Sequence, residues 1–433
     1  MSRSPFGRWP LAIALFVCVE ALAESPAGLP VAAAEPSLTL TDAVRRVEAA
    51  NPRLKAGAAY VSAVVAERDQ ASVIPNPELS LELENIAGSG AYAGADSAET
   101  TLAISQTFGG GTRRASVAVA EANLTLTQDA QSLAKLELAA DTARRFIAVV
   151  AAQEKLALAK RAETLAENTR DDLERRAAAA RAPIAERNRA RMAFQRAKLE
   201  RSRAEQELAL ARRQLASLWG ANDAEFARAE GALFTLPPTL DEAELRAALA
   251  RSPVNAALRN SERLRETEVA HAKAVGRPPI TASVGLRNFA DTSDSALLFG
   301  VSLPIPLFDR NRGGIAAAAA RLEAQRADNA IAQRDAEMRL MGLLASLQQS
   351  RAEARTLHDD ALPLANEALE QTRYGFERGR FSWLELASAQ QELIDTENAA
   401  IDAAVTYHTL LADIEALTGL AIARPEQNAG VTP

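Results

Sequence analysis

The stretch Ser302-Leu-Pro-Ile-Pro-Leu-Phe-Asp-Arg-Asn-Arg-Gly-Gly314 decides the fold. It follows the alternating run Leu297–Leu303 and precedes an Ala-rich helical segment. Pro304 and Pro306 cannot continue a sheet ladder or sit inside a helix. The stretch is therefore a joint between a strand and a helix. A second joint of this kind, Gln106–Arg114 (QTFGGGTRR), lies about 200 residues earlier, with Phe108 answering Phe308. There Gly109 and Gly110 do the work of the prolines. Asp309 or Asn311 is expected to cap the descending helix, and Gly313 and Gly314 to ease the turn into it.

Working outward, the whole chain reads as a duplication. Ser37–Leu54 matches Pro237–Leu258, each with an Asp cap, an amphipathic helix and an Asn-Pro or Ser-Pro break. Ile74–Glu84 and Gly276–Leu286 are proline-gated strands, and Thr101–Gly111 matches Leu297–Gly314. The expected units are a signal segment 1–34, a first repeat 35–236, a second repeat 237–423 and a tail 424–433. Strands are expected at about 78–86, 99–108, 281–289 and 295–303, and long helical hairpins at about 113–219 and 314–418.

The strands alternate with period two. Leu79, Leu81 and Leu83 oppose Ser80, Glu82 and Glu84; Leu102 and Ile104 oppose Ala103 and Ser105. At roughly 9–10 residues, they have the length of tilted bilayer-crossing strands. Four strands cannot close a barrel, and an open edge cannot sit in lipid, so closure requires several copies. Three copies would give an even-numbered barrel of workable size. From Arg113 to Ala180 there is neither proline nor glycine, enough for a helix of roughly 100 Å. Leu133, Leu136, Ala140, Ala143, Ile147 and Val150 form one 3,4-spaced seam, and Leu138, Thr142, Arg145 and Val149 begin an offset second one. Two seams mean neighbours on two sides. The returns are expected at Ala182-Pro183, with proline in the first helical turn, and at Arg373–Trp383, with a kink at Pro363.

Composition agrees with long helices: 48% hydrophobic residues but only 4% aromatics, with Ala dominant. A net charge of −7 without a basic block argues against nucleic acid as a partner. Arg3 and Arg8, the apolar run Leu11–Val19 and the small-residue sites at Ala23 and Ala34 have the order of a secretory signal, cleaved after Ala23 or Ala34. Cys18, the single cysteine, lies in that segment. It is read as an ordinary signal-core residue rather than a lipidation site, because Val17 is not the small residue a lipobox places there.

These features together resemble the TolC-type outer-membrane efflux factors, over essentially the whole mature chain. Ser302–Ala320 resembles the heavy-metal (CzcC-like) branch, and Tyr374–Leu393 (YGFERGRFSWLELASAQQEL) is similar to the family's helix-tip signature. The resemblance implies a mainly α fold with a small β part. It also implies a homotrimer with a twelve-stranded outer-membrane β-barrel, continued by a long periplasmic α-helical barrel. The implied partners are outer-membrane lipids, a periplasmic membrane-fusion adaptor and an inner-membrane resistance-nodulation-division pump. The implied cargo is heavy-metal cations such as cobalt, zinc, cadmium or copper. A drug or polypeptide channel of the same family is the alternative, and a soluble periplasmic coiled-coil scaffold the alternative of another class. By position, Glu385 would narrow the periplasmic tip, with Ser388 where a second acid is expected and Glu186 the repeat counterpart of Glu385. Tyr374, Gly375, Gly379, Arg380 and Pro183 would form the adaptor-docking tip. Phe108, Gly109, Gly110, Pro304, Pro306, Phe308 and Asp309 form the β-to-α collar.

No enzyme or cofactor site is legible. His271, His358 and His408 lack metal-ligand spacing. Gly109–Gly111 lacks the Lys-Ser/Thr of a phosphate loop, and His358-Asp359-Asp360 has no nucleophile beside it.

Overall fold

The computed structural model describes residues 37–237 and 241–421. The signal segment, Cys18 and the tail 424–433 lie outside the described residues. Each half begins with two short helices joined at a proline. Helices α1 (Leu40–Ala50) and α2 (Pro52–Ser72) meet at Asn51, whose Oδ1 accepts from the Arg53 N–H at 2.8 Å while Nδ2 donates to the Leu218 carbonyl at 2.6 Å. In the second half, α5 (Glu242–Arg251) and α6 (Pro253–Val275) meet at Ser252, which accepts from the Asn255 N–H. Both junctions place proline at the first helical position, where its missing N–H costs nothing.

Strands β2 (Glu78–Glu84), β3 (Glu99–Phe108), β5 (Ile280–Phe289) and β6 (Ser295–Ser302) form one antiparallel sheet in that order. A two-residue parallel pair, β1 (Ser37–Leu38) with β4 (Arg228–Ala229), lies apart from it. The inner strands β3 and β5 have ten residues each, β5 starting one residue before the expected 281, whereas the edge strands β2 and β6 have seven and eight. Edge strands find a ladder partner on one side only, and prolines 75, 77, 304 and 306 stop pairing there.

Helix α3 (Gly110–Ala178) runs 69 residues, roughly 100 Å, and returns as α4 (Ile184–Ala216). The second hairpin is α7 (Arg312–Arg355), a π-turn (Thr356–Ala361), α8 (Leu362–Glu377) and the returning α9 (Trp383–Thr418). The helix is thus re-registered rather than broken ahead of Pro363, whose missing N–H falls in the first turn of α8. Phe234 stacks on His358 within the π-turn, centroids 4.2 Å apart.

The two seams of α3 are buried within one chain only in part, since Leu133, Leu136 and Arg145 stay half-exposed. Ala140, Ala143, Ile147 and Val150 line one, and Leu138, Thr142 and Val149 the other, all below 8% exposed. Their neighbours are α1, α4, α9 and the 217–237 segment. Gln153 fixes that segment by pairing both ways with the Ala229 backbone, at 2.8 and 3.0 Å. The core therefore lies midway along the hairpins. The four-stranded sheet has no core of its own.

Candidate functional site

Three places on the fold carry features that packing alone does not require: the bare sheet, the collar below it, and the turns at the far ends of the hairpins.

Register decides what the sheet presents. Leu79, Ile104, Val284 and Phe299 pair across all four strands, as do Leu81, Leu102, Leu286 and Leu297. These two apolar rows are exposed, with Phe299 at 81% and Leu79 at 70%. The opposite face carries rows such as Glu82, Thr101, Arg287, Ala296 and Glu78, Ser105, Ser283, Gly300. There Arg287 binds Glu84 and Glu99, both at 2.7 Å, and the Thr101 hydroxyl at 2.8 Å. Sequence reading missed this network, because its members come from three strands. Their common nearness to the hairpin loops is the signal that could have found it.

At the collar, the first turn of α3 serves the ends of two other helices. Thr112 donates to the Ala274 carbonyl at 3.2 Å and Arg113 to the Ser72 carbonyl at 3.0 Å, satisfying orphan C-terminal groups. Gly109 is the N-cap and Gly110 opens the helix. On the second side Asn311, not Asp309, occupies the N-cap, in the left-handed region at φ 54° and without a side-chain cap bond. Asp309 instead accepts from the Asn311 N–H at 2.8 Å, and Asn311 Nδ2 donates to the Ala272 carbonyl at 2.7 Å. Gly313 and Gly314 lie inside the first turn of α7 rather than before it. A Cβ at Gly314 would meet the Asn311 carboxamide, which would have to shift from its bond to the Ala272 carbonyl. Pro304 and Pro306 follow β6 without regular structure, and Phe308 projects fully, 99% exposed.

The two far turns come together through one apolar cluster: Leu173 and Ala190 from the first hairpin with Leu369, Phe376, Trp383, Leu386 and Leu393 from the second. The second turn is fully capped. The N–H groups of Gly379 and Arg380 bond to the Phe376 and Gly375 carbonyls at 3.0 and 2.8 Å, with Gly379 at φ 73°. This is the Schellman arrangement. Gly375 leaves room for the Phe381 ring, which occupies the position of a Cβ there. Tyr374 lies under the Arg378 guanidinium, 3.5 Å from the ring centre. Ser382 and Glu385 then form a capping box, the Glu385 carboxylate accepting from the Ser382 N–H at 2.6 Å and its hydroxyl at 2.8 Å. Glu385 is thus folded back on its own helix start, and Ser388 is exposed one turn on.

The Ser382 N–H, then its hydroxyl, hold the Glu385 pKa below the usual carboxylate range. A depressed folded-state pKa contributes stability above the ordinary carboxylate range, and that contribution is lost as pH falls through the folded value. Amide exchange over residues 383–386, corrected for its intrinsic pH dependence, should therefore quicken on acidification in the wild type. In Glu385→Gln it should not respond.

The first turn repeats this backbone path with poorer residues. Ala180, at φ 56°, holds the place of Gly379, and Arg181 N–H bonds to the Arg176 carbonyl at 2.7 Å. Pro183 is the N-cap of α4, one residue before the helix, and makes no side-chain cap bond. Its ring nitrogen cannot serve Glu186 as Ser382 serves Glu385. A left-handed Ala costs about 1 kcal/mol relative to Gly. Ala180→Gly should stabilise this turn by about that amount, read as slower amide exchange over residues 176–184.

Among the described residues no group of three or more His, Cys, Asp or Glu side chains is placed to hold a metal ion, and no helix is long and apolar enough to cross a membrane.

The fold and its surfaces define a duplicated protein in which a bare, one-face-apolar sheet feeds directly into long helical hairpins. The sequence pattern described as "outer membrane efflux protein" matches residues 43–221 and 245–420, one stretch in each half, and the chain belongs to that family. It is 32% identical over 358 residues to the cobalt-zinc-cadmium resistance protein CzcC of Cupriavidus metallidurans, covering 82% of this chain and 84% of that protein. It is 31% identical over 286 residues to the nickel and cobalt resistance protein CnrC of the same organism, covering 64% and 65%. A membrane protein from Pseudomonas aeruginosa of solved structure shares the fold, with TM-score 0.75 at 21% identity, covering 88% of this chain and 90% of that one.

Proposed function

We propose that the chain is the outer-membrane conduit of a tripartite resistance-nodulation-division efflux assembly, passing heavy-metal cations without doing chemistry on them. The observation that carries this reading is the pair of apolar rows crossing all four strands with nothing over them. A soluble protein does not leave so continuous an apolar band in water, whereas a barrel in lipid requires one. The free edges are β2 and β6, which run in opposite directions. Copies can therefore join edge to edge as antiparallel pairs, three of them giving a twelve-stranded barrel. The long hairpins then extend into the periplasm, towards an adaptor and an inner-membrane pump. The similarity to proteins named for cobalt, zinc, cadmium and nickel resistance supports metal cargo.

At the tip, Tyr374, Gly379, Arg380 and Pro183 form the docking surface, with Gly375 buried beneath the Phe381 ring rather than on it, and Glu186, Glu385 and Ser388 narrow the passage. Of the two carboxylates Glu186 is the more available, since Glu385 is engaged by Ser382. In reconstituted channels Glu186→Gln should change cation block or conductance more than Glu385→Gln.

The test of the whole reading is deletion of the gene, with growth scored across zinc, cobalt, cadmium, copper and a drug panel. Loss of metal tolerance is the expected result. Unchanged metal tolerance beside raised drug sensitivity overturns the cargo. Extraction of the protein by carbonate without detergent overturns the conduit.

A further inference from the structure

The four strands of the sheet hold one basic residue, Arg287, and the acids Glu78, Glu82, Glu84 and Glu99. Register puts all of them on the face opposite the apolar rows. In the conduit reading that face lines the lumen, and the end of the sheet away from the collar is the outer mouth. Glu84 ends β2 and Glu99 opens β3, directly across from each other at the base of the loop 85–98. Like charges so placed repel. Cations leaving the conduit pass this pair at its exit.

The pair is not left open to them. Arg287, two residues before the end of β5, divides its guanidinium among three acceptors. One terminal nitrogen binds Glu84 at 2.7 Å, the other Glu99 at 2.7 Å, and Nε donates to the Thr101 hydroxyl at 2.8 Å. Thr101 is itself buried, and Asn85 Nδ2 donates to the other oxygen of Glu99 at 3.0 Å. A guanidinium stays charged at every pH a protein meets. Without it, two carboxylates and a hydroxyl would converge on one point, the oxygen donor set that a divalent cation takes. Glu78 and Glu82 differ from the pair: they stand across from Ser105 and Thr101 and are exposed. Single hydrated carboxylates draw cations in without gripping them, as conduction requires. Stitching three strands together needs no acid pair; an acidic lumen that contains one needs a fixed cation upon it.

We infer that Arg287 is a fixed counter-cation in the lumen, which keeps the Glu84–Glu99 pair from retaining divalent cargo at the outer mouth. The inference rests on the conduit reading and makes Arg287 a positioning residue, acting on cargo release through the two carboxylates.

The test measures cadmium block of the full-length protein in planar bilayers, with potassium carrying the current. Cadmium should halve the current of Arg287→Met at a concentration at least about tenfold below that needed for the wild type, since a unit charge in contact with both carboxylates is gone. Arg287→Met/Glu84→Gln/Glu99→Gln should return the block to wild-type concentrations. Cadmium should also raise the thermal midpoint of purified Arg287→Met, by bridging the freed carboxylates, and not that of the wild type. Arg287→Lys keeps a charge but cannot reach all three acceptors, and should fall between; it carries the comparison if Arg287→Met does not accumulate. Equal block in the wild type and Arg287→Met overturns the inference. So does a triple variant blocked as readily as Arg287→Met, which would place the metal elsewhere. A loss of stability indifferent to cadmium would leave Arg287 as a stitch between strands, and likewise overturns it. These outcomes leave the conduit reading standing wherever the preparation conducts. A wild type that inserts but does not conduct overturns that reading instead.

Discussion

Val284→Arg should abolish accumulation of the protein in the outer membrane, whereas Ser105→Arg on the same sheet should leave it. Val284 lies mid-strand in the row Leu79, Ile104, Val284, Phe299. An arginine facing lipid at the bilayer midplane of a barrel costs about 2–4 kcal/mol, and an oligomer carries that cost in every copy. Ser105 sits on the opposite face, directly across from Glu78. There an arginine gains an opposite-charge cross-strand partner. The measurement is the fraction resisting carbonate extraction, alongside metal tolerance of the host. If the sheet lay in water, a charge at the half-exposed Val284 would shift stability by no more than about 0.5 kcal/mol, and both variants would behave alike.

Trp383→Ala should loosen the tip without unfolding the rest. Trp383 opens α9, is 8% exposed, and packs in the cluster that joins Leu173 and Ala190 of the first hairpin to Phe376 and Leu386 of the second. Removing a buried Trp costs about 3–5 kcal/mol when the surroundings cannot collapse into the space. The midway core around Leu138, Phe146, Val149 and Ile401 is separate from this cluster. Proteolysis and amide exchange should therefore accelerate at residues 178–184 and 377–382, with little change over residues 138–150. In planar bilayers the variant should conduct more than the wild type. Uniform acceleration along the chain would show that the cluster holds the whole hairpin assembly rather than the tip.

Several parts of the tip and collar could not be read from single residues. Gly379 announces its left-handed turn, because glycine is the residue such a turn prefers. Ala180 takes the same conformation silently, because alanine is the best helix former and carries no turn signal. Pro363 was legible as a disturbance of the helix, but the π-turn ahead of it, where Phe234 stacks on His358, was not. Asn311 was legible as a cap, yet its side chain serves α6 across the joint.

Sequence by itself determined the duplication, the order of strands and hairpins, the apolar alternation and the joints at Phe108 and Phe308. Each follows from local chemistry: period two in the strands, 3,4 spacing in the helices, and proline or glycine wherever the backbone must change course. Tertiary structure alone decided three matters. Register brought Leu79, Ile104, Val284 and Phe299 into one row, which requires four strands to meet at fixed offsets. Packing folded Glu385 onto Ser382 while Pro183 left Glu186 without such a partner, so two repeat-related carboxylates came to differ. Finally, strand pairing gathered Arg287, Glu84, Glu99 and Thr101 from three strands into one network, a grouping that only neighbours in space can make.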